Sequence, residues 1–258
     1  MINKILFILF IAVLPTELFS QDNFRTIENK AFKEGEKLTF DIKYGFVTAG
    51  IAVMEIPRIR RLSGRDVYHI VFEVNSVPSF DWIYKVRDRY ETYLDVKGLF
   101  PWRFEQHIRE GSFSRDFSAF FDQRKGIAKT SQGQYEVPLY VNDILSAFYI
   151  ARTYDYSDMK VGDVIPMQNF YKDKVHDLNV KYLGKERITV DAGTFDCIVV
   201  EPLVQEGGLF KSEGSIVIWL TDDDLKVPVK VKTKVVVGSI DAELSKYEGL
   251  AGKLTSKR

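Results

Sequence analysis

The sequence predicts a mainly β protein: a large, strongly curved antiparallel sheet, an open or closed barrel, with one short helix near residues 143–153. Three observations predict it. Apolar and polar residues alternate with period two through much of the chain, the pattern of half-buried strands. Glycine and Asx residues interrupt the pattern roughly every ten to fifteen residues, as tight reversals require. Several strand-like runs are apolar in both phases, while helical periodicity is confined to one segment, so the sheet has to cover itself.

The chain opens with Lys4, an unbroken apolar run from Ile5 to Leu14, Pro15, and Ser20 before Gln21. That run is too short to span a bilayer as a helix, which needs about 20 residues, and it suits a signal-peptide core. Residues 1–20 are therefore expected to direct export to the periplasm or outside, leaving no integral membrane span after cleavage. Residues 21–244 are expected to form a single curled β-sheet domain, followed by a loosely held polar tail over 245–258.

Leu38, Phe40, Ile42 and Tyr44 share one phase, with Lys37, Thr39, Asp41 and Lys43 on the other. Turn signals follow at Ser63-Gly64, Glu110-Gly111, Lys125-Gly126, Gln132-Gly133, Gly193, Gly207-Gly208 and Asp222–Asp224. A short helical turn is expected over Ser79–Tyr84. Asn142-Asp143 can cap a helix, and Ile144, Leu145, Phe148 and Ala151 then share one helical face. Near the far end, Val227, Val229, Val231, Thr233, Val235 and Val237 mark one strand face, and Lys226, Lys230, Lys232 and Lys234 the wet one. Pro228 stands near the start of that strand, where a missing backbone donor is tolerated.

Ile51–Met54, Ile198–Val200 and Ile216–Leu220 are apolar in both phases, which asks for cover on both sides. About ten strands side by side span about 48 Å at ~4.8 Å each. A helix over 143–153 is only about 16 Å long at ~1.5 Å per residue. The sheet must then close into a barrel, stay open and curled, or fold into two layers. A curl with a helix across its mouth can enclose an apolar cavity or be filled by its own side chains.

Charge and motifs narrow the function. Lysine plus arginine equals aspartate plus glutamate at 36 each, so the basic surface that nucleic acid requires is not expected. Arg58–Arg65 is locally basic and reads as a solvated hairpin tip, with anionic lipid headgroups the functional alternative. His69, His107 and His176 are isolated, so no metal site is expected. Asp222–Asp224 lacks the spacing of a calcium loop and reads as a turn. Asp88 and Glu91 form a candidate acid–base pair whose separation sequence does not give. No nucleophile elbow, phosphate loop or dinucleotide fingerprint occurs. Cys197 lies within the strand-like Thr194–Val200 and is expected to be a buried, inert thiol. As the single cysteine it allows no internal disulfide, and it lies far from any lipoprotein acylation position. The Lys-studded face over 226–234 argues against an outer-membrane barrel.

Several stretches together resemble the bacterial envelope family catalogued as domain of unknown function 3108. They are Gly35–Phe46 with Thr48-Ala49-Gly50, Val86–Tyr90, Leu99-Phe100-Pro101, Asp143–Arg152, Gly193–Cys197, and Ile218–Asp223 with Pro228-Val229. The resemblance implies an exported protein with no established activity. It also implies a shape similar to the curled sheets of lipoprotein-carrier and periplasmic stress-sensor domains, which hold acyl chains or peptide segments. No functional residue transfers with it; Asp143 is expected to cap, and Arg152 and Trp219 to pack or pair.

The resulting expectation is an exported, non-catalytic envelope protein that holds a lipid-like or other apolar ligand, with no cofactor and no catalytic residue. Its ligand-contacting residues are not assigned by the pattern. A structural or protein-interaction module of the envelope is the alternative, and an envelope-glycan enzyme a further one.

Overall fold

A computed structural model describes residues 24–204, 216–235 and 238–258. The expected signal segment, the Gly207-Gly208 turn signal and Val237 lie outside the described residues. The strands run in order as Lys37–Tyr44 (β1), Val47–Leu62 (β2), Arg65–Ser76 (β3), Arg87–Asp95 (β4), Pro101–Glu110 (β5), Phe113–Asp122 (β6), Ile127–Thr130 (β7) and Gly133–Glu136 (β8). A helix, Ile144–Ala151 (α1), separates these from Val164–Ile165 (β9), Gln168–Tyr171 (β10), Lys174–Val190 (β11) and Gly193–Val204 (β12). Ile216–Thr221 (β13), Pro228–Lys234 (β14) and Ser239–Glu248 (β15) complete the fold.

All fifteen strands belong to one sheet, ordered β10-β11-β12-β13-β14-β15-β1-β2-β3-β4-β5-β6-β7-β8, with β9 paired to β11. Along that order each strand joins a neighbour in sequence, except where β15 meets β1, from Lys37↔Glu248 to Tyr44↔Ile240. The turn chemistry is as expected: Ser63 and Gly64 both take positive φ, 53° and 80°, the two-residue reversal that suits strand twist. Tyr84 N–H donates to the Phe80 carbonyl at 3.0 Å, a single helical turn where one is expected.

The sheet curls but does not close. Among the described residues no ladder joins the end strands β8 and β10: the Phe170 ring lies 5.8 Å from Tyr135 of β8 and 5.9 Å from Phe121 of β6, and the Asn142 carbonyl, beyond β8, accepts from Phe170 N–H at 2.7 Å. Thr130 Oγ1 also donates to Asp173 at 2.8 Å across this seam. Of the arrangements open to the sequence, the open curled sheet is the one formed.

Inside the curl, alternation does what the pattern predicts: Leu38, Phe40, Ala52, Met54 and Ile56 are buried. Outside, Lys230 reaches Asp241 at 2.8 Å and Glu243 at 2.7 Å, and Lys43 reaches Glu243 at 2.8 Å. Charge outside and oil inside is the reverse of a membrane-spanning barrel. Among the described residues no helix is long and apolar enough to cross a membrane.

Three expectations change. Ile51–Met54 is not covered on both sides, since Ile51 is 41% exposed; its second apolar phase faces solvent. The valine face over 227–235 does not hold one phase, because Leu220 pairs with Pro228 while Trp219 pairs with Lys230. Val229 is the extra residue of that bulge. The tail over 245–258 is not loosely held. Ser245–Glu248 finishes β15, and β13 pairs only with Cys197–Val200 of β12, leaving the start of β12 an open edge. The last residues take that edge, with Asp196 N–H donating to Ser256 O at 3.0 Å and Arg258 N–H to Thr194 O at 2.9 Å. Leu254 is buried in the core. Polar composition hid this anchorage because its partners are distant in sequence: Ser256 Oγ donates to Asp223 at 2.9 Å and Arg258 Nε to Asp196 at 2.7 Å, while Tyr247, Leu250 and Ala251 pack on the core beside Leu254.

Candidate functional site

The inward phases of opposite strands do not meet at the centre of the curl. Phe40 and Ile42 of β1 and Ala52 and Met54 of β2 form one wall. Leu178 and Val180 of β11, Val200 of β12 and Ile218 of β13 form the other. Between them is a cavity of about 270 Å³, larger than the ~150 Å³ apolar cavities that stay dry and take up benzene. Its lining side chains are apolar except Thr233. A water inside would find almost no partner, whereas an apolar molecule gains roughly 25 cal/mol per Å² of surface removed from solvent.

The void has a sequence cause. Four of the positions that face it are Ala52, Ala147, Ala151 and Ala242. A leucine at each would fill the interior; alanine leaves room. In β14, the bulge at Val229 lets Pro228 and Val231 line the cavity together despite their odd spacing.

The helix α1 forms one side of the cavity through Ile144, Ala147, Phe148 and Ala151. Its start is held by Asp143, whose Oδ1 accepts from Leu145 N at 2.8 Å and Ser146 N at 3.0 Å. Ser146 Oγ returns the contact by accepting from Asp143 N–H at 2.8 Å, a capping box. Asp143 Oδ2 accepts from Thr92 Oγ1 at 2.6 Å. Burial pushes the Asp143 carboxyl up to about 6, against the opposing pull of these hydrogen bonds. At the other end, Arg152 is fully buried and pairs in bidentate fashion with Glu36, at 2.7 and 2.8 Å.

The residues singled out by sequence chemistry do not gather at this cavity. Asp88 and Glu91 stand an odd number of residues apart on β4, so alternation turns them to opposite faces. Glu91 contacts His69 and Arg89. Asp88 accepts from Arg109 N–H at 2.8 Å and interacts with Glu110; burial raises both carboxyls, and the Asp88 charge raises Glu110 further. His69 is buried and stacks on Tyr93, with ring centroids 4.8 Å apart. His107 pairs with Asp116 at 2.8 Å, and His176 Nε2 lies 3.1 Å from the Tyr171 carbonyl. Asp222 binds Lys185 at 2.7 Å, and Asp223 accepts from Thr221 Oγ1 at 2.7 Å, so the acidic run is a structured turn. Trp219 Nε1 donates to Glu186 at 2.8 Å, the pairing expected of it.

Cys197 is fully buried, and burial pushes its thiol up to about 12. A thiol so placed holds almost no thiolate at neutral pH. Labelling with an aromatic disulfide reagent is expected to yield less than about 5% modification in the folded chain and full modification in denaturant; rapid labelling of the native protein would show the site to be open.

The cavity residues went unassigned by sequence because they carry no chemistry. The available signal was negative: alanine at inward positions of otherwise bulky strands.

The family described as "Protein of unknown function (DUF3108)" matches residues 39–245. The chain belongs to this family. No curated protein matches it. Among solved structures, a β-barrel-like protein of the DUF1849 domain from Brucella abortus matches at 11% identity and a TM-score of 0.53, covering 83% of this chain and 96% of its own. A lipoprotein candidate from Parabacteroides distasonis matches at 11% identity and a TM-score of 0.38, covering 88% of this chain and 100% of its own. A candidate exported protein with a YmcC-like fold from Bacteroides fragilis has 11% identity, a TM-score of 0.35 and the same coverages. The first of these supports the curled, barrel-like fold of this DUF3108 member; fold alone carries no activity.

Proposed function

We propose that this DUF3108 chain is an exported, non-catalytic envelope protein, a single curled domain after its leader, that holds a lipid-like apolar ligand inside the curl. The observation that carries the reading is the cavity of about 270 Å³ with a single hydroxyl, that of Thr233, among its lining side chains. Such a lining selects for hydrocarbon and offers nothing to activate a bond. The dimensions suit part of an acyl chain or a compact apolar ring system.

The test is organic extraction and mass spectrometry of the chain purified from its native compartment, beside an Ala147→Phe/Ala242→Phe variant. The wild type is expected to release one apolar compound class. The variant, whose rings occupy the void, is expected to retain about tenfold less, equivalent to ~1.4 kcal/mol of binding, with an unchanged circular dichroism spectrum. A wild type that yields no apolar compound and takes up no fluorescent fatty-acid probe would sink the reading.

A further inference from the structure

The hairpin register brings a set of apolar tips to one rim of the curl. Val77 N–H donates to Ala49 O at 3.0 Å, joining the β3–β4 loop to the start of β2, and Gly111 N–H donates to Lys85 O at 2.8 Å, joining that loop to the β5–β6 turn. The bridge Val86↔Glu110 reinforces the second junction. On these tips stand Phe46 at 106% exposure, Trp82 at 82%, Ile83 at 57% and Phe113 at 54%. Exposed aromatics of this size on neighbouring tips lose free energy in water and mark a contact surface. The same rim is the cavity's. Ile42 and Thr233 line the cavity, and they lie within two residues of the strand ends at Tyr44 and Lys234.

We propose that this rim docks on a lipid bilayer surface, with Phe46, Trp82, Ile83 and Phe113 entering the headgroup region and the cavity mouth facing the membrane. Three features favour a bilayer over a folded partner. The apolar groups stand on three separate tips, Phe46 on one, Trp82 and Ile83 on the next and Phe113 on the third, which enter a soft interface one by one. Tryptophan and tyrosine, present as Trp82 and Tyr84, are the side chains suited to the headgroup level. Exposed Lys85 and Lys234 stand on the same rim, and lysines near a membrane surface are attracted to anionic headgroups. Asp81, the carboxylate on the Trp82 loop, is committed to Arg87 at 2.6 Å. The basic Arg58–Arg65 hairpin is at the opposite end, beyond the register pair Leu62↔Arg65, so the structure assigns the lipid contact to the aromatic rim instead. The inference rests on the ligand-binding reading only for its purpose, exchange of an apolar molecule with the membrane.

The test is sedimentation of the mature chain with vesicles of phosphatidylethanolamine and phosphatidylglycerol (3:1), and with pure phosphatidylcholine. The wild type is expected to co-sediment, more on the anionic vesicles. A Phe46→Ser/Trp82→Ser/Ile83→Ser/Phe113→Ser variant is expected to partition about tenfold less or weaker, and an Arg58→Ser/Arg60→Ser variant to match the wild type. The rim substitutions remove exposed groups, and circular dichroism checks that the fold is kept. Lipids brominated in the acyl chain are expected to quench Trp82 and to spare Trp102, which is 1% exposed. Wild-type protein left in the supernatant, equal binding by the rim variant, loss of binding in the Arg58/Arg60 variant instead, or a wild-type dimer dissolved by the rim substitutions would each overturn docking. Extraction of the same samples reads the cavity separately. Ligand recovered from a chain that ignores vesicles defeats docking alone, and vesicle binding by a chain with no ligand defeats the ligand reading alone.

Discussion

Replacing Arg152 by methionine is expected to lower stability by about 3–5 kcal/mol, because Glu36 is left as a buried charge without its partner. Both side chains are fully shielded from solvent. The guanidinium also donates to the carbonyls of Ala31 at 3.1 Å and Leu225 at 3.2 Å. Its Cζ lies 5.1 Å from the Tyr149 ring centroid and 5.3 Å from that of Phe32. One side chain thus ties the end of α1 to the segment before β1 and to the β13–β14 loop. Urea unfolding reads the effect as a lower midpoint at an unchanged slope, and thermal melting as a drop of roughly 10 °C for a domain this size. The double variant Glu36→Leu/Arg152→Met is expected to recover most of the loss, since a well-packed apolar pair commonly replaces a buried ion pair without penalty. A single variant as stable as wild type would show that water reaches Glu36.

The architecture was legible in the sequence where side-chain alternation and turn residues carry it. Leu38, Phe40 and Ile42 point inward as their phase predicts, and Ser63-Gly64 reverses the chain where it should. The Asp143 cap and its helix are also readable, since a capping residue and a helical stripe are local signals. What was not readable depends on partners distant in sequence. The tail is anchored by the open edge of β12, and the exposure of Ile51 reflects an outer face left bare. Neither follows from composition. The Asp88–Glu91 pairing failed for a local reason that register makes plain: an odd spacing on a strand separates two side chains across the sheet. The cavity was half legible. Surplus oily strand requires a curl, but whether the curl is filled rests on four alanines, which look like nothing in particular until opposite strands are in place.

The contribution of Asp143 to stability is expected to fall as pH rises from about 4 to about 6, and Asp143→Asn is expected to remove it. The Asp143 carboxyl is raised by burial from 3.8 to about 6 in the folded chain. The folded state therefore holds this proton through a range in which the unfolded state has released it. With more protons bound when folded, stability decreases with pH across that window. A shift of this size corresponds to about 3 kcal/mol at ~1.4 kcal/mol per unit, and full burial leaves no solvent screening to discount. The asparagine variant keeps the shape, and asparagine caps helices as well as aspartate does. Thr92 Oγ1 can turn to accept from its amide. The variant is thus expected to be more stable than wild type at pH 7 and equal to it near pH 4, read by urea midpoints at both values. Because α1 lines the cavity through Ala147 and Phe148, the loosened wild-type helix at neutral pH should also release a fluorescent fatty-acid probe faster than the variant does. A wild type and variant whose stabilities run parallel from pH 4 to 7 would place the Asp143 proton outside this range, and the helix would then be equally firm at both ends of it.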